Sequence, residues 1–463
     1  MTDIGQKLYD VAARIYPICR SITGDGVRRT LQVLGQRIPM VLHEVPTGAR
    51  VFDWEVPLEW NIEDASLSDG DGCRVIDFRS HNLHIVNYSE PVSCMLPLDE
   101  LAPYLHSSPE HPASIPYRTS YYRRNWGFCL AHRERERLAP GRYRVDIKSS
   151  LQPGAMTYGE VTVHGRSRDE VILFTHVCHP SLANDNAAGM SITAALAEWV
   201  ASEPRRYTYR IVFAPGTIGS LCWLKANESR LKRVRHGLVL GLLGDPGALT
   251  YKRSRRGNAE IDTVVEYVLS RFGSSTRLID FSPYGYDERQ LCSPGFNLPV
   301  GRLTRSVNGG YPEYHSSADD LSLIRPEYLQ QSYEACQSIV SVPEGDAQYV
   351  NLSPKGEPQL GKRGLYGSLG GRSPTEREHA LLWVLNQSDG SRSLLDIAKR
   401  SGIDFSLMRQ AADKLEGAGL LADTQVQRPK GRLARGSGQR SARPTSTTRR
   451  TAATPPDRPG TKS

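Results

Sequence analysis

The chain has 463 residues, of which 39% are hydrophobic and 23% are charged, a balance that is ordinary for a soluble globular protein. It holds no apolar run long enough for a membrane helix, its first residues lack the pattern of a signal peptide, and its eight cysteines form no C-x-x-C pair. These features argue against a membrane protein, a disulfide framework and a zinc knuckle. They predict a cytoplasmic protein of about two to four domains.

The positive charge is concentrated at the C-terminal end. The formal net charge is +8, but residues 426–463 contain ten Lys and Arg against one Asp, so the rest of the chain carries about −1. This tail is rich in Pro, Gly, Ser and Thr and poor in large apolar residues, which is typical of disorder. We therefore interpret the basicity as a property of a disordered tail and not of a folded nucleic-acid-binding face.

The spacing of apolar residues predicts the elements in chain order. Two helices are expected within residues 7–38, and short alternating segments predict a small β-rich module at 51–115. Residues 116–345 then alternate apolar strands with helical stretches, which indicates an α/β domain with a largely parallel sheet. Strands are predicted at 171–174, 209–213, 237–243 and 298–300, and helices near 187–202, 219–230, 259–272 and 326–342.

The C-terminal part of the chain differs in composition and in its apolar pattern. Residues 346–373 are rich in Gly, Pro and Ser and are expected to form a linker. Three short helical patterns follow within residues 374–425, and the run from Leu394 to Ile403 is typical of the first half of a helix-turn-helix.

One segment carries most of the functional signal. Residues 176–189 follow the predicted strand at 171–174 and supply His176, His179 and Asp185 before a helix of small residues. Loops at the carboxyl ends of strands bind ligands in open α/β sheets, and imidazole and carboxylate are preferred ligands of zinc. A plain turn at His179-Pro180, with Asp185 as a helix cap, is the alternative interpretation of the same residues.

Two further segments offer ligands of the same chemistry. Asp245 comes just after the predicted strand at 237–243, so its carboxylate is expected at the same edge of the sheet. His315 lies in a compact polar stretch before the helix that begins at Pro326. Taken alone, Asp245 would be read as a turn aspartate, and His315 is equally well explained as a loop histidine.

Together these segments resemble the co-catalytic zinc aminopeptidase family. The closer similarity is to an aminopeptidase-like subfamily with an inserted β module and a C-terminal winged helix, associated with bacterial surface-polysaccharide or natural-product gene clusters. The resemblance covers about residues 4–423 and is carried by three further stretches. These are Tyr-Pro-Ile-Cys-Arg-Ser-Ile-Thr-Gly at 16–24, Tyr-Tyr-Arg-Arg-Asn-Trp-Gly-Phe-Cys at 121–129 and Tyr-Asp-Glu-Arg-Gln-Leu-Cys-Ser-Pro-Gly at 286–295.

The resemblance implies an α/β fold with a zinc-aminopeptidase-like mixed, largely parallel sheet flanked by helices. It divides the chain into a discontinuous aminopeptidase-like domain (1–50 and 116–345), the inserted β-rich domain (51–115), the linker (346–373), a winged-helix-like domain (374–425) and the tail (426–463). It further implies one or two zinc ions, with His176 and Asp245 on one metal, Asp185 bridging, and His315 on the second. The substrate would then be a small peptide or another amine-bearing molecule.

Two positions depart from the pattern of that family. Cys178 stands where the wider family has an aspartate that orients the first histidine. Gly216 replaces a glutamate that acts as general base or as a ligand of the second metal, and the loss of a base costs about 10²–10⁴ in rate. Glu313 is the candidate replacement, although it must point inward to act, and neighbours on extended backbone usually point apart. A one-metal site of His176, Asp185 and Asp245 would still keep a position open for water.

Three functions remain in competition. The first is a zinc-dependent aminopeptidase-like hydrolase of a peptide or other amide bond, impaired by Gly216. The second is a catalytically silent relative that binds a metal or ligand. The third is a nucleic-acid-binding regulator, but the predicted recognition helix offers only Arg409, Gln410 and Lys414 as contacts. We therefore favour a protein partner for the winged helix over a specific nucleic acid.

Overall fold

The computed structural model describes residues 4–273, 275–365 and 375–424. The α-helices, in chain order, are α1 (Ile4–Ile15), α2 (Asp25–Leu34), α3 (Leu98–Leu101), α4 (His132–Arg135), α5 (Gly189–Ala201), α6 (Ile218–Asn227), α7 (Glu260–Leu269), α8 (Glu288–Leu291), α9 (Pro326–Gly345), α10 (Glu376–Gln387), α11 (Leu394–Ser401) and α12 (Phe405–Gly417). The helices expected near 7–38, 187–202, 219–230, 259–272 and 326–342 are all present among them.

The strands, in chain order, are β1 (Val41–Pro46), β2 (Arg50–Val51), β3 (Trp54–Glu55), β4 (Glu59–Ser68), β5 (Arg74–Asp77), β6 (Val92–Pro97), β7 (Leu105–His106), β8 (Phe128–Cys129), β9 (Arg142–Gln152), β10 (Ala155–Val163), β11 (Glu170–His176), β12 (Thr208–Ala214), β13 (Val234–Leu240), β14 (Thr250–Lys252), β15 (Arg277–Ile279), β16 (Val300–Thr304), β17 (Gln348–Asn351), β18 (Asp389–Ser393) and β19 (Leu421–Asp423).

An eight-stranded sheet forms the centre of the molecule, in the order β1-β10-β12-β11-β13-β16-β14-β15. Its inner strands β12, β11, β13 and β16 are parallel, whereas β1, β10 and the β14–β16 pair run antiparallel. Every residue of β11 and β12 is buried, which explains why both read as continuous apolar runs. This is the predicted α/β class, a mixed and largely parallel sheet flanked by helices.

The two faces of the sheet are covered differently. Helices α1, α2, α5, α7 and α9 pack with the winged helix over one face and form one hydrophobic core with it. The other face is covered by α6, α8 and a β-rich module, which share a second core that includes Trp60, Phe174 and Trp223. The central strands are therefore enclosed on both sides, and their carboxyl ends open between the two layers.

The β-rich module is larger than the sequence predicts. Its four-stranded sheet runs β5-β4-β9-β6, and β9 pairs along the whole of β4, from Glu59 opposite Gln152 to Ser68 opposite Arg144. The module therefore extends past the predicted end at residue 115 to residue 152. The difference arises because β9 returns to the module after a long loop, and strand pairing at this separation leaves no mark on local composition.

The C-terminal unit has three helices and a small sheet in the order β18-β17-β19. Its first strand, β17, lies inside the stretch predicted to be a linker at 346–373, because β17 pairs with β19 from the far end of the domain. The start of α12 packs against α7: the Phe405 amide donates to Tyr267 Oη at 2.8 Å, and Arg271 lies 3.1 Å from Asp404. The unit is therefore packed against α7 and the residues that follow it.

No helix among residues 4–273, 275–365 and 375–424 is both long and apolar enough to cross a membrane. The basic tail at 426–463, expected to be disordered, lies outside the described residues.

Candidate metal centre

The candidate site lies where β11 ends at the carboxyl edge of the sheet. His176 is the last residue of β11, and the following loop carries His179 before the irregular segment Ala183–Ala188 that leads into α5. Asp185 sits in this segment with its side chain 1% exposed, as is that of His176. A rigid buried strand and helix therefore hold the loop on both sides, as the sequence suggested.

The Asp185 carboxylate is the centre of a group of imidazoles. His176 Nε2 lies 2.7 Å from Asp185 Oδ1, and His179 Nδ1 lies 3.2 Å from the same oxygen. His315 Nε2 lies 3.1 Å from the other oxygen, Oδ2. In the described part of the chain, the ligand atoms of His176, His179 and Asp185 all lie within 4.8 Å of one another, close enough to hold one metal ion.

Electrostatics favour the ligating forms of these side chains. Burial opposes ionisation of Asp185, but the neighbouring His179, His176 and His315 hold the pKa of its carboxyl well below the usual value. Burial lowers the pKa of His176 to about 4 against the opposing pull of Asp185, with smaller contributions from His179 and Arg302. At neutral pH the site therefore contains a carboxylate and a neutral imidazole, which are the forms that bind zinc.

His179 belongs to this centre, although it was absent from the predicted ligands. Its Nδ1 is buried and has no hydrogen-bond partner in the described structure, since the approach to Asp185 at 3.2 Å lacks hydrogen-bond geometry. Its other nitrogen, Nε2, lies 2.9 Å from Tyr286 Oη. When His179 Nε2–H donates to the Tyr286 oxygen, the ring is fixed and Nδ1 carries no proton, so Nδ1 can bind a metal. The i, i+3 spacing of His176 and His179 was the available signal.

Asp319 holds the backbone of the segment that carries Asp185. Its two carboxyl oxygens accept from the amides of Asn184 at 2.6 Å and Asp185 at 3.0 Å. Burial raises the pKa of Asp319 to about 8. Asp319 could not be singled out from the sequence, because nothing local distinguishes it from the adjacent Asp320.

Asp245 stands apart from this group. Its Oδ1 accepts from the Gly247 amide at 2.6 Å and from Ser306 Oγ at 2.7 Å, and its Oδ2 accepts from Asn184 Nδ2 at 2.7 Å. These donors use the lone pairs that a metal would need. The predicted ligand set of His176, Asp185, Asp245 and His315 therefore differs from the group that the structure brings together, because Asp245 instead ties the β13 loop to Asn184 and to Ser306.

His315 and Glu313 lie in the loop between β16 and α9. The His315 side chain is 33% exposed, so it stands at the entrance of the site, and its ring stacks on Tyr314 at 3.9 Å between centroids. Within residues 4–273, 275–365 and 375–424, no hydrogen bond or ion pair joins the Glu313 carboxylate to the imidazoles. The Glu313 carbonyl accepts from the Ser316 amide and hydroxyl.

Tyr286 fills the space beside Gly216. A Cβ built on Gly216 would lie 2.5 Å from Tyr286 Cε1 and 2.8 Å from its Oη. The same ring packs against His176 at 4.0 Å between centroids. The Gly216 amide donates to Cys178 Sγ at 3.3 Å, and burial raises the pKa of that thiol to about 12. The Cys178 thiol is therefore kept protonated. The Tyr286 ring occupies the space that a longer side chain at position 216 would need.

Three non-glycine residues around the site have left-handed backbone conformations. They are Ser181, Thr217 and His315, with φ values of 43°, 62° and 55°. Such conformations cost about 1–3 kcal/mol each and concentrate at functional sites when the surrounding structure holds them. At His315 the conformation accompanies the approach of its ring to Asp185.

Comparison with known proteins gives two matches along the chain. Residues 9–346 match a family described as a domain of unknown function (DUF4910), and residues 347–423 match a winged helix-turn-helix family. The second match begins one residue before β17, in agreement with the early start of the C-terminal sheet.

A curated relative and a solved structure come from Clostridium acetobutylicum. One, provisionally named a polysaccharide biosynthesis protein with an aminopeptidase-like domain, is 47% identical over 422 residues, which make up 91% of this chain and 97% of the relative. A solved structure, provisionally named a peptidase, is 46% identical with a TM-score of 0.86 and covers 90% of this chain and 96% of its own.

More distant solved structures share the fold alone. BSAP, a zinc aminopeptidase from Bacillus subtilis, is 12% identical with a TM-score of 0.54, covering 73% of this chain and 93% of its own. A peptidase M28 precursor from Shewanella amazonensis is 14% identical with a TM-score of 0.51, covering 73% and 94%. The chain therefore belongs to the DUF4910 family, with an aminopeptidase-like fold followed by a winged helix-turn-helix domain.

Proposed function

We propose that the protein is a zinc-dependent, aminopeptidase-like hydrolase of a peptide or other amide bond. The observation that carries the proposal is the convergence of His176, His179 and Asp185, with a buried His179 Nδ1 that has no hydrogen-bond partner. Three protein ligands with a further position left for water are typical of a catalytic zinc site.

The donor set fits one ion better than two. His176 and His179 both face Asp185 Oδ1, whereas His315 alone faces Oδ2. A second ion at Oδ2 would have only His315 and Asp185 as protein ligands among the groups described, and Asp245 is occupied by its hydrogen bonds. When bound, zinc would polarise the scissile carbonyl and lower the pKa of a water molecule.

The remaining side chains have separate tasks. Tyr286 orients His179 through the 2.9 Å contact with Nε2, and its pKa is raised well above the usual value by burial, so it stays a neutral phenol. His315, at the entrance, can donate Nε2–H to Asp185, which leaves Nδ1 as the proton acceptor. Nδ1 would take a proton from water and later give it to the leaving amine. We therefore assign the role of general base to His315 in place of Glu313.

The absence of a carboxylate at Gly216 still affects the expected rate. Tyr286 occupies the adjoining space with a group that cannot accept a proton at neutral pH. Because the histidine His315 takes the place of a positioned carboxylate base, we expect turnover below that of a hydrolase with such a carboxylate, by at most about 10²–10⁴. The provisional name of the Clostridium relative adds polysaccharide biosynthesis as the proposed context of the reaction.

The nucleic-acid hypothesis is disfavoured by the contacts of the winged helix. Helix-turn-helix proteins read bases with the first residues of the recognition helix, but here Phe405 and Asp404 pack against α7. Arg409 is committed to Tyr349 Oη at 2.7 Å and also pairs with Asp413. We propose that this domain instead serves protein contacts, within the chain or with a partner.

The activity test uses full-length, zinc-loaded protein and a panel of aminoacyl amides and p-nitroanilides. We expect slow release of amine that is lost on chelation and in Asp185→Ala. A panel without zinc-dependent turnover, from protein that has bound zinc, would favour the catalytically silent alternative.

A further inference from the structure

A buried ion pair that the proposed reaction does not use lies next to the loop that carries Tyr286. Lys252 is the last residue of β14 and is 6% exposed. Its Nζ lies 2.6 Å from Oε1 of Glu288, the first residue of α8, whose carboxylate is fully buried. Glu288 also belongs to the stretch at 286–295 that carries part of the family resemblance.

The ammonium group of Lys252 is fully occupied by this loop and by Glu288. It donates to the carbonyls of Ser282 at 3.0 Å and Tyr284 at 2.7 Å, and its third N–H faces the Glu288 carboxylate. An ammonium group has three donors, so each of them is used once. Because both carbonyls come just before Tyr286, the ammonium group fixes the path of the chain that leads to this side chain.

Glu288 holds the same loop from its other end. The Tyr286 amide donates to both carboxylate oxygens, at 3.2 Å to Oε1 and 3.1 Å to Oε2. Burial opposes ionisation of Glu288, but the positive charges of Arg302 and Lys252 bring the pKa of its carboxyl below the usual value. At neutral pH the carboxylate is therefore charged, and it accepts from the backbone of the residue that contacts His179.

Gly285 shows how closely the loop passes the ion pair. A Cβ built on Gly285 would overlap Glu288 Oε1 and lie 2.6 Å from Lys252 Nζ. Any side chain at this position would therefore push the loop away from the two charges. The absence of a side chain at position 285 is what allows the ion pair to contact the backbone on both sides of it.

The position of Tyr286 decides how two histidines of the metal centre are held. Its Oη lies 2.9 Å from His179 Nε2, and its ring packs on His176 at 4.0 Å between centroids. The partner of the other ring nitrogen fixes the orientation and the tautomer of a ligating histidine. A buried ion pair often adds no net stability over apolar residues of the same volume, so stability alone does not account for the pair.

We propose that Lys252 and Glu288 are positioning residues, which hold the loop 282–286 so that Tyr286 keeps His179 Nδ1 unprotonated and directed at the metal. The inference rests on the proposed function and deepens it, because it identifies what supports the metal centre from outside the ligand set. Without the ion pair, the ligands remain in place along the chain, but the His179 ring can turn or move its proton to Nδ1.

The test measures the tautomer of His179 in metal-free, full-length protein by ¹⁵N NMR of the histidine side chains, with His179→Gln to assign the signal. We expect the native chain to carry the proton on Nε2. In Gly285→Ala the added methyl group displaces the loop while both charges remain, so the proton should become shared between Nε2 and Nδ1. Zinc affinity, measured by competition with a chelator, should fall about 10-fold or more.

Lys252→Met tests the charge itself. It removes the ammonium group but keeps most of the length of the side chain, and it should change the tautomer and the zinc affinity in the same direction as Gly285→Ala. Because this variant leaves Glu288 without one of its partners, it should also be less stable than the native chain. If it does not fold, Gly285→Ala, which keeps both charges, decides the question.

The matched control is Tyr251→Phe, one residue earlier on β14 and therefore on the opposite face of the strand. It removes a buried hydrogen bond from Tyr251 Oη to Asp262 Oδ1 at 2.9 Å. It should lower the thermal stability but leave the His179 tautomer and the zinc affinity unchanged. An unchanged tautomer in Gly285→Ala, a native His179 protonated on Nδ1, or an equal loss of zinc affinity in Tyr251→Phe would each overturn the proposal.

The metal-free measurement keeps this test independent of the zinc hypothesis. A native chain that binds no zinc counts against the proposed function, whereas the tautomer of His179 still decides the role of the ion pair.

Discussion

Substitution of Gly216 by alanine tests whether Tyr286 fills the space into which a side chain at position 216 would extend. The new methyl group would lie 2.5 Å from Tyr286 Cε1 and 2.8 Å from Oη, both well inside contact distance. The ring cannot swing away freely, because its hydroxyl contacts His179 Nε2 at 2.9 Å and its face packs on His176. Gly216→Ala therefore forces a shift in the residues that hold the metal centre.

The expected magnitude follows from overpacking. One methyl group pushed into a close-packed site costs about 1–3 kcal/mol in the free energy of unfolding. Since displacement of Tyr286 also releases His179, zinc affinity should fall about 10–100-fold, as when a partner of a ligating histidine is lost. Urea unfolding measures the first quantity, and competition with a chromophoric chelator measures the second.

Two further variants make this result specific. Gly295→Ala is the control, because a Cβ there would meet nothing within 4 Å, and its stability should change by less than about 0.5 kcal/mol. In a Tyr286→Ala background, Gly216→Ala should cost almost nothing, which gives a coupling energy of about 1–3 kcal/mol between the two positions. Equal stability and zinc affinity of Gly216→Ala and the native chain would refute the reasoning.

Three other variants test the contact of Tyr286 with His179, the raised pKa of Asp287 and the packing of the winged helix on α7. Tyr286→Phe removes the hydroxyl that contacts His179, and should lower zinc affinity about 10-fold or more, measured by the same chelator competition. Asp287 has a folded pKa raised to about 7 by burial, so its protonated form stabilises the fold at low pH, and this stability is lost as the pH rises from about 4 through 7. The unfolding free energy of Asp287→Asn, relative to that of the native chain, should therefore increase between pH 5 and pH 8. A difference that stays constant with pH would contradict the raised pKa. Tyr267→Phe leaves the buried Phe405 amide without its acceptor, and should cost about 1–3 kcal/mol and speed proteolysis of the winged helix; equal cleavage rates would argue against the docking contact.

The sequence predicted the core of the fold because its central strands have a local signature. The strands β11 and β12 are buried on both faces and appear as unbroken apolar runs, and α5 follows as a run of small and apolar residues. The bounds of the inserted module and of the winged helix were predicted less accurately, because β9 and β17 pair with strands far away in the chain. Such pairing depends on tertiary packing, which composition does not reveal.

The candidate site was likewise predicted where the sequence carries a local signal and missed where tertiary contacts decide. His176, Asp185 and His315 were expected near one another, and their approach at the end of β11 follows from sheet topology. Tyr286 was missed as a participant, and His179 was named in the loop but left out of the predicted ligand set, because their roles depend on which nitrogen faces Asp185 and which ring fills the space beside Gly216. Asp245 had the right position after a strand, but Ser306 and Asn184 take up its carboxylate.

The decisive measurement for a one-zinc centre at His176, His179 and Asp185 is zinc stoichiometry, obtained by elemental mass spectrometry on purified chelator-treated protein reloaded with zinc. We expect about one zinc per chain, lost in Asp185→Ala and in His179→Ala and retained in Asp245→Asn. Zinc lost in Asp245→Asn but retained in His179→Ala would contradict it, and so would the absence of zinc from the native chain.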